Sequence, residues 1–224
     1  MTSPSPMPPS AQLLEDLVSA NHILFDQGVV DGFGHVSARH DNCPDRFLLA
    51  RNMAPTAVTP DDILQFGLDS EPLNANGQRV YLERYIHGEI YRAFSEVQAV
   101  VHSHSPSIVP LTVLKSVSLR PVFHMAGFIG TGAPVFDIRD VAGDGTDLLI
   151  RDRALGECHA QCFRGNAIVL MSGHGSTVVG TSLKQAVYRA LYAEQNARFQ
   201  LAAAPLGEVH YLSAAEATAC TATH

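Results

Sequence analysis

The run AVVHSHSPSIVP at residues 99 to 110 sets His102 and His104 two positions apart at the end of a short apolar stretch. On a strand, residues i and i+2 face the same way, so two imidazoles would stand side by side, close enough to share one cation. The plain alternative is a pair of polar residues hydrogen-bonded at a strand end. His174 in LMSGHGSTVVG follows another apolar run and lies between Gly173 and Gly175, residues that let backbone approach a neighbour closely. Three histidines from two strand ends would form the open three-imidazole site that catalytic zinc uses, with room for water or substrate. Glu83 opens the helical stretch before the first of these strands, where a carboxylate can be a further ligand or a general base. Each residue alone also has an ordinary structural reading. Cys158, His159 and Cys162 in ECHAQC would fit a metal on one helical turn, although free cysteine more often packs as a small hydrophobe.

The elements that must carry these residues can be read in outline. SAQLLEDLVSANHILFDQG has one helical apolar stripe, with Ser10 as N-cap and Gly28 as the stop. Alternation in HVSAR and the run DRFLLAR predict a first pair of strands. Thr59, Pro60 and Asp62 predict a short capped turn, and residues 81 to 94 a helix leading into the strand that ends in the two histidines. APVFDI and NAIVLM read as strands, and Ser182 with Gln185 as a capping box opening a long helix that closes before Pro205. Helices at both ends and strands between them predict an α/β or α+β arrangement of one sheet with helices packed on it.

With 224 residues and 46% hydrophobic content the chain can bury a sizeable core. The expected organisation is a disordered N-terminal tail at 1–9, one domain at 10–212 and a C-terminal tail at 213–224. The formal charge of −7 argues against a nucleic-acid partner. No signal peptide and no membrane-spanning run is read, which leads to an expected cytoplasmic location without a membrane partner.

Glu83, the H-x-H pair 19 residues later, the GHG turn at 173–175 and GHVSAR at 34–39 form an ordered set. That set resembles the class II aldolase/adducin family over roughly residues 10–212. The resemblance implies a single α/β/α domain with a central, mainly antiparallel sheet flanked by helices. It also implies one divalent metal ion per subunit (Zn, Mn or Fe) held by His102, His104 and His174, Glu83 as acid/base or additional ligand, and a homotetramer with sites at subunit interfaces.

Sugar-phosphate members of the family cradle phosphate with a Gly-Asn-x-Ser turn, a Ser/Thr-x-Gly loop and two serines before the glutamate. Here those stretches read Gly34-His35-Val36-Ser37, ARNMAP at 50–55 and Tyr81-Leu82. Small donors are largely replaced, while Arg51 and Arg84 offer forks suited to a carboxylate. His35, Ser37, Arg51 and Arg84 are therefore the expected substrate-binding residues. His124 falls about where the resemblance puts a proton-donating aldolase tyrosine, which makes it the expected assistant of Glu83. The variant motifs resemble the branch of metal-dependent decarboxylases acting on hydroxylated aromatic or heteroaromatic acids. The resulting expectation is a carbon–carbon lyase decarboxylating an unphosphorylated hydroxylated aromatic or keto acid. The alternatives are an aldolase on a hydroxy-keto acid or sugar phosphate, an iron-dependent oxygenase, and a non-catalytic adducin-like module.

Overall fold

A computed structural model describes residues 8–223, so the expectation for residues 1–7 lies outside the described part. The helices are α1 (Ala11–Asp26), α2 (Arg84–Ala93), α3 (Val109–Thr112), α4 (Arg139–Ala142), α5 (Arg153–Gln161), α6 (Leu183–Ala203) and α7 (Ala214–Thr223). The strands are β1 (His35–Arg39), β2 (Arg46–Ala50), β3 (Ile63–Gly67), β4 (Ala99–Ser103), β5 (Val135–Phe136), β6 (Ile168–Met171) and β7 (Gly175–Gly180). They form one seven-stranded sheet in the order β3-β2-β1-β4-β7-β6-β5. Every neighbouring pair is antiparallel except β5–β6. The fold is thus the expected α/β domain with a mainly antiparallel central sheet.

Helix ends follow the sequence signals. The Ser10 hydroxyl accepts the Leu13 N–H, and Ser182 accepts the Gln185 N–H. Gln185 does not complete a box with Ser182; its side-chain oxygen accepts the Thr181 N–H instead. Thr59 and Asp62 do form a capping box, around the 3-10 turn Pro60–Asp62. Residues 214–223, expected as a tail, are helical, and α7 lies against the 3-10 segment His124–Ile129 so closely that a Cβ on Gly127 would meet the Ala217 carbonyl at 2.6 Å. Among the described residues no helix is long and apolar enough to cross a membrane.

The two-residue period of the strands divides their side chains between two helical layers. Val36 and Ala38 of β1 and Ala99 and Val101 of β4 join Leu17 and Leu24 of α1 and Ala190 and Ala193 of α6 in one apolar layer. The opposite layer packs Val100 of β4 and Phe47 and Leu49 of β2 against Ile86, Ile90 and Tyr91 of α2 and Ala160 of α5. His35, Ser37 and His102 alternate with the first set and face the α2/α5 layer. Gly156 lets α5 approach α2 there, since a Cβ would lie 2.7 Å from the Tyr85 carbonyl.

Candidate metal centre

Three short segments deliver the donors. His102 lies near the end of β4 and is fully buried; His104 follows just past that end, with a quarter of its side chain exposed. His174 stands in the tight connection between β6 and β7. There Gly173 takes φ 68°, and a Cβ on Gly175 would collide with the Ser103 carbonyl oxygen. Glycine at 175 is what lets β7 carry His174 up against the end of β4. Glu83 occupies the N-cap of α2 but uses its carboxylate elsewhere: Oε1 accepts the Ile150 N–H at 3.1 Å, leaving Oε2 to face the histidines.

The four side chains converge. His104 Nε2 is 3.3 Å from His102 Nε2 and 3.1 Å from His174 Nε2. Glu83 Oε2 is 3.5 Å from His102 Nε2 and 3.4 Å from His174 Nε2. One donor atom from each of the four lies within 4.8 Å of every other. Such separations are those of neighbouring ligands on a sphere with metal–nitrogen bonds of about 2.0–2.1 Å.

Proton bookkeeping makes the case for a cation stronger. His174 Nδ1 lies 2.9 Å from the Leu148 carbonyl, which can only accept, so that nitrogen carries the proton. His104 Nδ1 lies 3.2 Å from both oxygens of the Asp31 carboxylate and is protonated for the same reason. In the neutral rings, the Nε2 lone pairs of His104 and His174 therefore point at each other and at a carboxylate. A cation held by these residues would relieve that repulsion, and the outer partners hold each ring in the tautomer that a metal would require. Burial, then the charges of His174, His35 and His104, keeps the His102 imidazole far below the usual histidine range and so neutral. At His174 burial also disfavours the charge, but hydrogen bonding and attraction from Glu83 outweigh it and raise the pKa. Burial would raise Asp31, yet the N–H groups of Phe33 and Gly34, with His104, hold it below the ordinary carboxylate range.

The remaining expected site residues fall differently. His35 is buried, pairs with His102 across β1 and β4, and sets its ring 5.0 Å from the His102 ring. Ser37 is corrected: it is fully buried, with its hydroxyl 2.6 Å from His87 Nδ1 and 2.8 Å from Tyr91 Oη, and no substrate can reach it. Arg84 is likewise turned away from the cluster. Its guanidinium donates to the Ser70 and Tyr81 carbonyls and the Tyr85 hydroxyl, because neighbours on a helix are rotated about 100° apart and Arg84 adjoins Glu83. Arg51 pairs through Nε with Asp62 at 2.7 Å. His124 is not brought to the cluster within this chain: it lines a small cavity with Gln185, Tyr188 and Cys220. Arg189, which also lines it, donates to the Val179 carbonyl, near the end of β7 where Gly180 pairs with Ala99 at the opposite end of β4 from His102. Cys158, His159 and Cys162 are outside the converging set.

Asp31, the Leu148 carbonyl and the Ile150 amide were not foreseen. Asp31 had a signal, an aspartate ahead of two glycines in VDGFGH, the pattern of a turn whose carboxylate caps nearby N–H groups. The other two act through backbone, where residue type says little, although Leu148 sits at φ 67°, a conformation rare for a residue with a side chain.

Residues 15–201 match the class II aldolase and adducin N-terminal domain. The chain is 39% identical over 204 residues to decarboxylase tropJ of Talaromyces stipitatus, covering 86% of this chain and 76% of that protein. It is 32% identical over 205 residues to the 3,4-dihydroxyphthalate decarboxylase of Rhodococcus jostii, covering 85% and 80%. The L-fuculose 1-phosphate aldolase of Glaciozyma antarctica superposes with a TM-score of 0.77 at 22% identity, over 97% of this chain and 86% of that one, a likeness of fold. The match across most of its length, together with these relatives, makes the chain a member of the class II aldolase and adducin family.

Proposed function

We propose that this protein is a divalent-metal-dependent decarboxylase of an unphosphorylated acid bearing a hydroxyl or keto oxygen near the carboxylate, with an aromatic ring as the favoured frame. The observation that carries the reading is the convergence of Glu83, His102, His104 and His174, in a chain whose relatives include proteins named as decarboxylases. A divalent cation bound by these residues would supply Lewis acidity to the substrate oxygen next to the carbon that loses carbon dioxide.

The chain's own groups supply the rest. His102 is buried and the His174 side chain is 8% exposed, while His104 is a quarter exposed, so the cluster opens on the His104 side and a planar acid can approach there. Asp31 and the Leu148 carbonyl keep two rings fixed as the substrate enters. Glu83, with one oxygen pinned by Ile150 and the other aimed at the cluster, is placed to hold a proton and return it to the carbon after carbon dioxide leaves. Arg51, whose position continues the β1–β2 register opposite His35, marks the side on which the acid is held.

The phosphate-binding alternative is disfavoured by the same stretches that distinguished the sequence. Ser37 is buried with its hydroxyl committed to His87 and Tyr91, and Tyr81 donates its hydroxyl to the Met53 carbonyl. An assembly of copies, expected as a tetramer, would bring His124 of one copy toward the site of another. The test is a carbon-dioxide-release screen of hydroxylated aromatic and keto acids with metal-reconstituted protein. Release from a hydroxy aromatic acid, with fuculose phosphate and ribulose phosphate untouched, is expected. Rapid cleavage or epimerisation of a sugar phosphate without decarboxylation of any acid would overturn the reading.

A further inference from the structure

From the metal centre a buried polar chain runs inward between β1 and α2. It joins two periodicities: His35 and Ser37 at i and i+2 of the strand meet His87 and Tyr91 at i and i+4 of the helix, on the stripe that begins at Glu83. His35 Nδ1 is 2.7 Å from His87 Nε2, His87 Nδ1 is 2.6 Å from Ser37 Oγ, and Ser37 Oγ is 2.8 Å from Tyr91 Oη. Tyr91 and Ser37 are buried to within 1% and His87 completely. Four polar side chains have thus been withdrawn from water in a layer otherwise filled by Phe47, Ile86, Ile90 and Val100. Nothing in the metal-ligand set requires them there.

Each neutral imidazole donates from one nitrogen and accepts at the other, and Ser37 could accept from both neighbours only by leaving its own hydroxyl proton without a partner among the described side chains, so the bonds point one way. Suppose they point inward, from His35 toward Tyr91. The Tyr91 hydroxyl is then the surplus donor in the core, and no described side chain other than Ser37 meets it. An unsatisfied buried donor is costly. Suppose instead that Tyr91 donates to Ser37, Ser37 to His87 Nδ1, and His87 Nε2 to His35 Nδ1. Every interior atom is then satisfied, and the surplus N–H is His35 Nε2. His35 Nε2 is not among the buried nitrogens that lack a hydrogen-bond partner, and the His35 ring lies against that of His102. The surplus proton therefore borders the metal centre, where a substrate oxygen can take it up.

We infer that His87, Ser37 and Tyr91 are positioning residues that lock His35 in the Nε2–H tautomer and so make it a fixed, uncharged hydrogen-bond donor to the substrate's carboxylate or phenolate oxygen. The opposite tautomer would present a lone pair to the site and make His35 a competing ligand. Burial holds His87 neutral down to about 3. The identity of the acceptor rests on the proposed function; the tautomer does not.

The test uses the zinc-loaded full chain with nitrogen-15 in its imidazoles. Long-range proton–nitrogen spectra distinguish the two tautomers, and the His35 signal is assigned by its loss in His35→Gln. Both His35 and His87 should show the Nε2–H pattern. Ser37→Ala should convert His35 to a mixture of tautomers and lower kcat/KM for the decarboxylated acid about tenfold, with zinc content unchanged. An Nδ1–H tautomer at His35 in the wild type, or an unaltered tautomer in Ser37→Ala, would overturn the inference. Because zinc alone is the probe for the tautomer, this result is independent of whether the decarboxylase reading succeeds.

Discussion

On the side covered by α1 and α6, β1 and β4 present Val36, Ala38, Ala99 and Val101; on the side covered by α2 and α5, the same two strands present His35, Ser37, Arg39 and His102. Both sets are buried, but they do different jobs. The first layer gains free energy by removing apolar surface from water, about 25 cal/mol per Å², without directional demands. The second must give each polar atom a partner, and it does so in detail: Arg39 alone donates to the carbonyls of Val97, Pro44, Tyr91 and Phe94. The apolar face makes the sheet stable enough to carry a polar face whose geometry, more than its net stabilisation, matters to chemistry.

That contrast can be broken from either side. Glu83→Gln should have the largest effect on turnover, a loss of about 10²–10⁴-fold, with the circular dichroism spectrum retained, because an amide fits the space but cannot carry a proton. Steady-state kinetics with a near-normal rate would confine Glu83 to a structural part. Asp31→Ala removes an outer partner of His104, so metal affinity or activity should fall about 10–100-fold, read as a weaker dissociation constant for zinc by competition with a chelator. Leu17→Ala in the opposite layer should cost about 2–5 kcal/mol of stability, measured by urea unfolding, and leave turnover per folded molecule unchanged. Activity lost in step with Leu17→Ala under folded conditions would mean that the two faces are not separable.

The residues that were legible in the sequence are those whose local pattern is also their role. Ser10, Thr59 and Ser182 announce helix starts, and the two-residue spacing of His102 and His104 puts both at one strand end, as observed. His174 was marked by its flanking glycines. What failed was assignment of partners across the fold. Ser37 and Arg84 carry suitable groups near suitable neighbours in the chain, but strand alternation turns Ser37 onto α2 and helical rotation turns Arg84 onto the 70–71 loop. His87 and Tyr91 could have been noticed four and eight residues after Glu83, yet their value depends on β1 lying opposite. The Leu148 carbonyl and Ile150 amide leave no trace in residue type, and within one chain the fold does not bring His124 to the cluster.

Elemental analysis decides whether Glu83, His102, His104 and His174 form a metal centre. Wild-type protein, reconstituted with Zn²⁺, Mn²⁺ or Fe²⁺ and freed of loosely held ions, should retain one divalent ion per chain. His104→Ala should retain almost none while keeping its far-ultraviolet circular dichroism spectrum, since the site is an open one at strand ends and not a core staple. A wild-type chain that holds none of these ions, or a His104→Ala chain that holds a full equivalent, would rule out this metal centre.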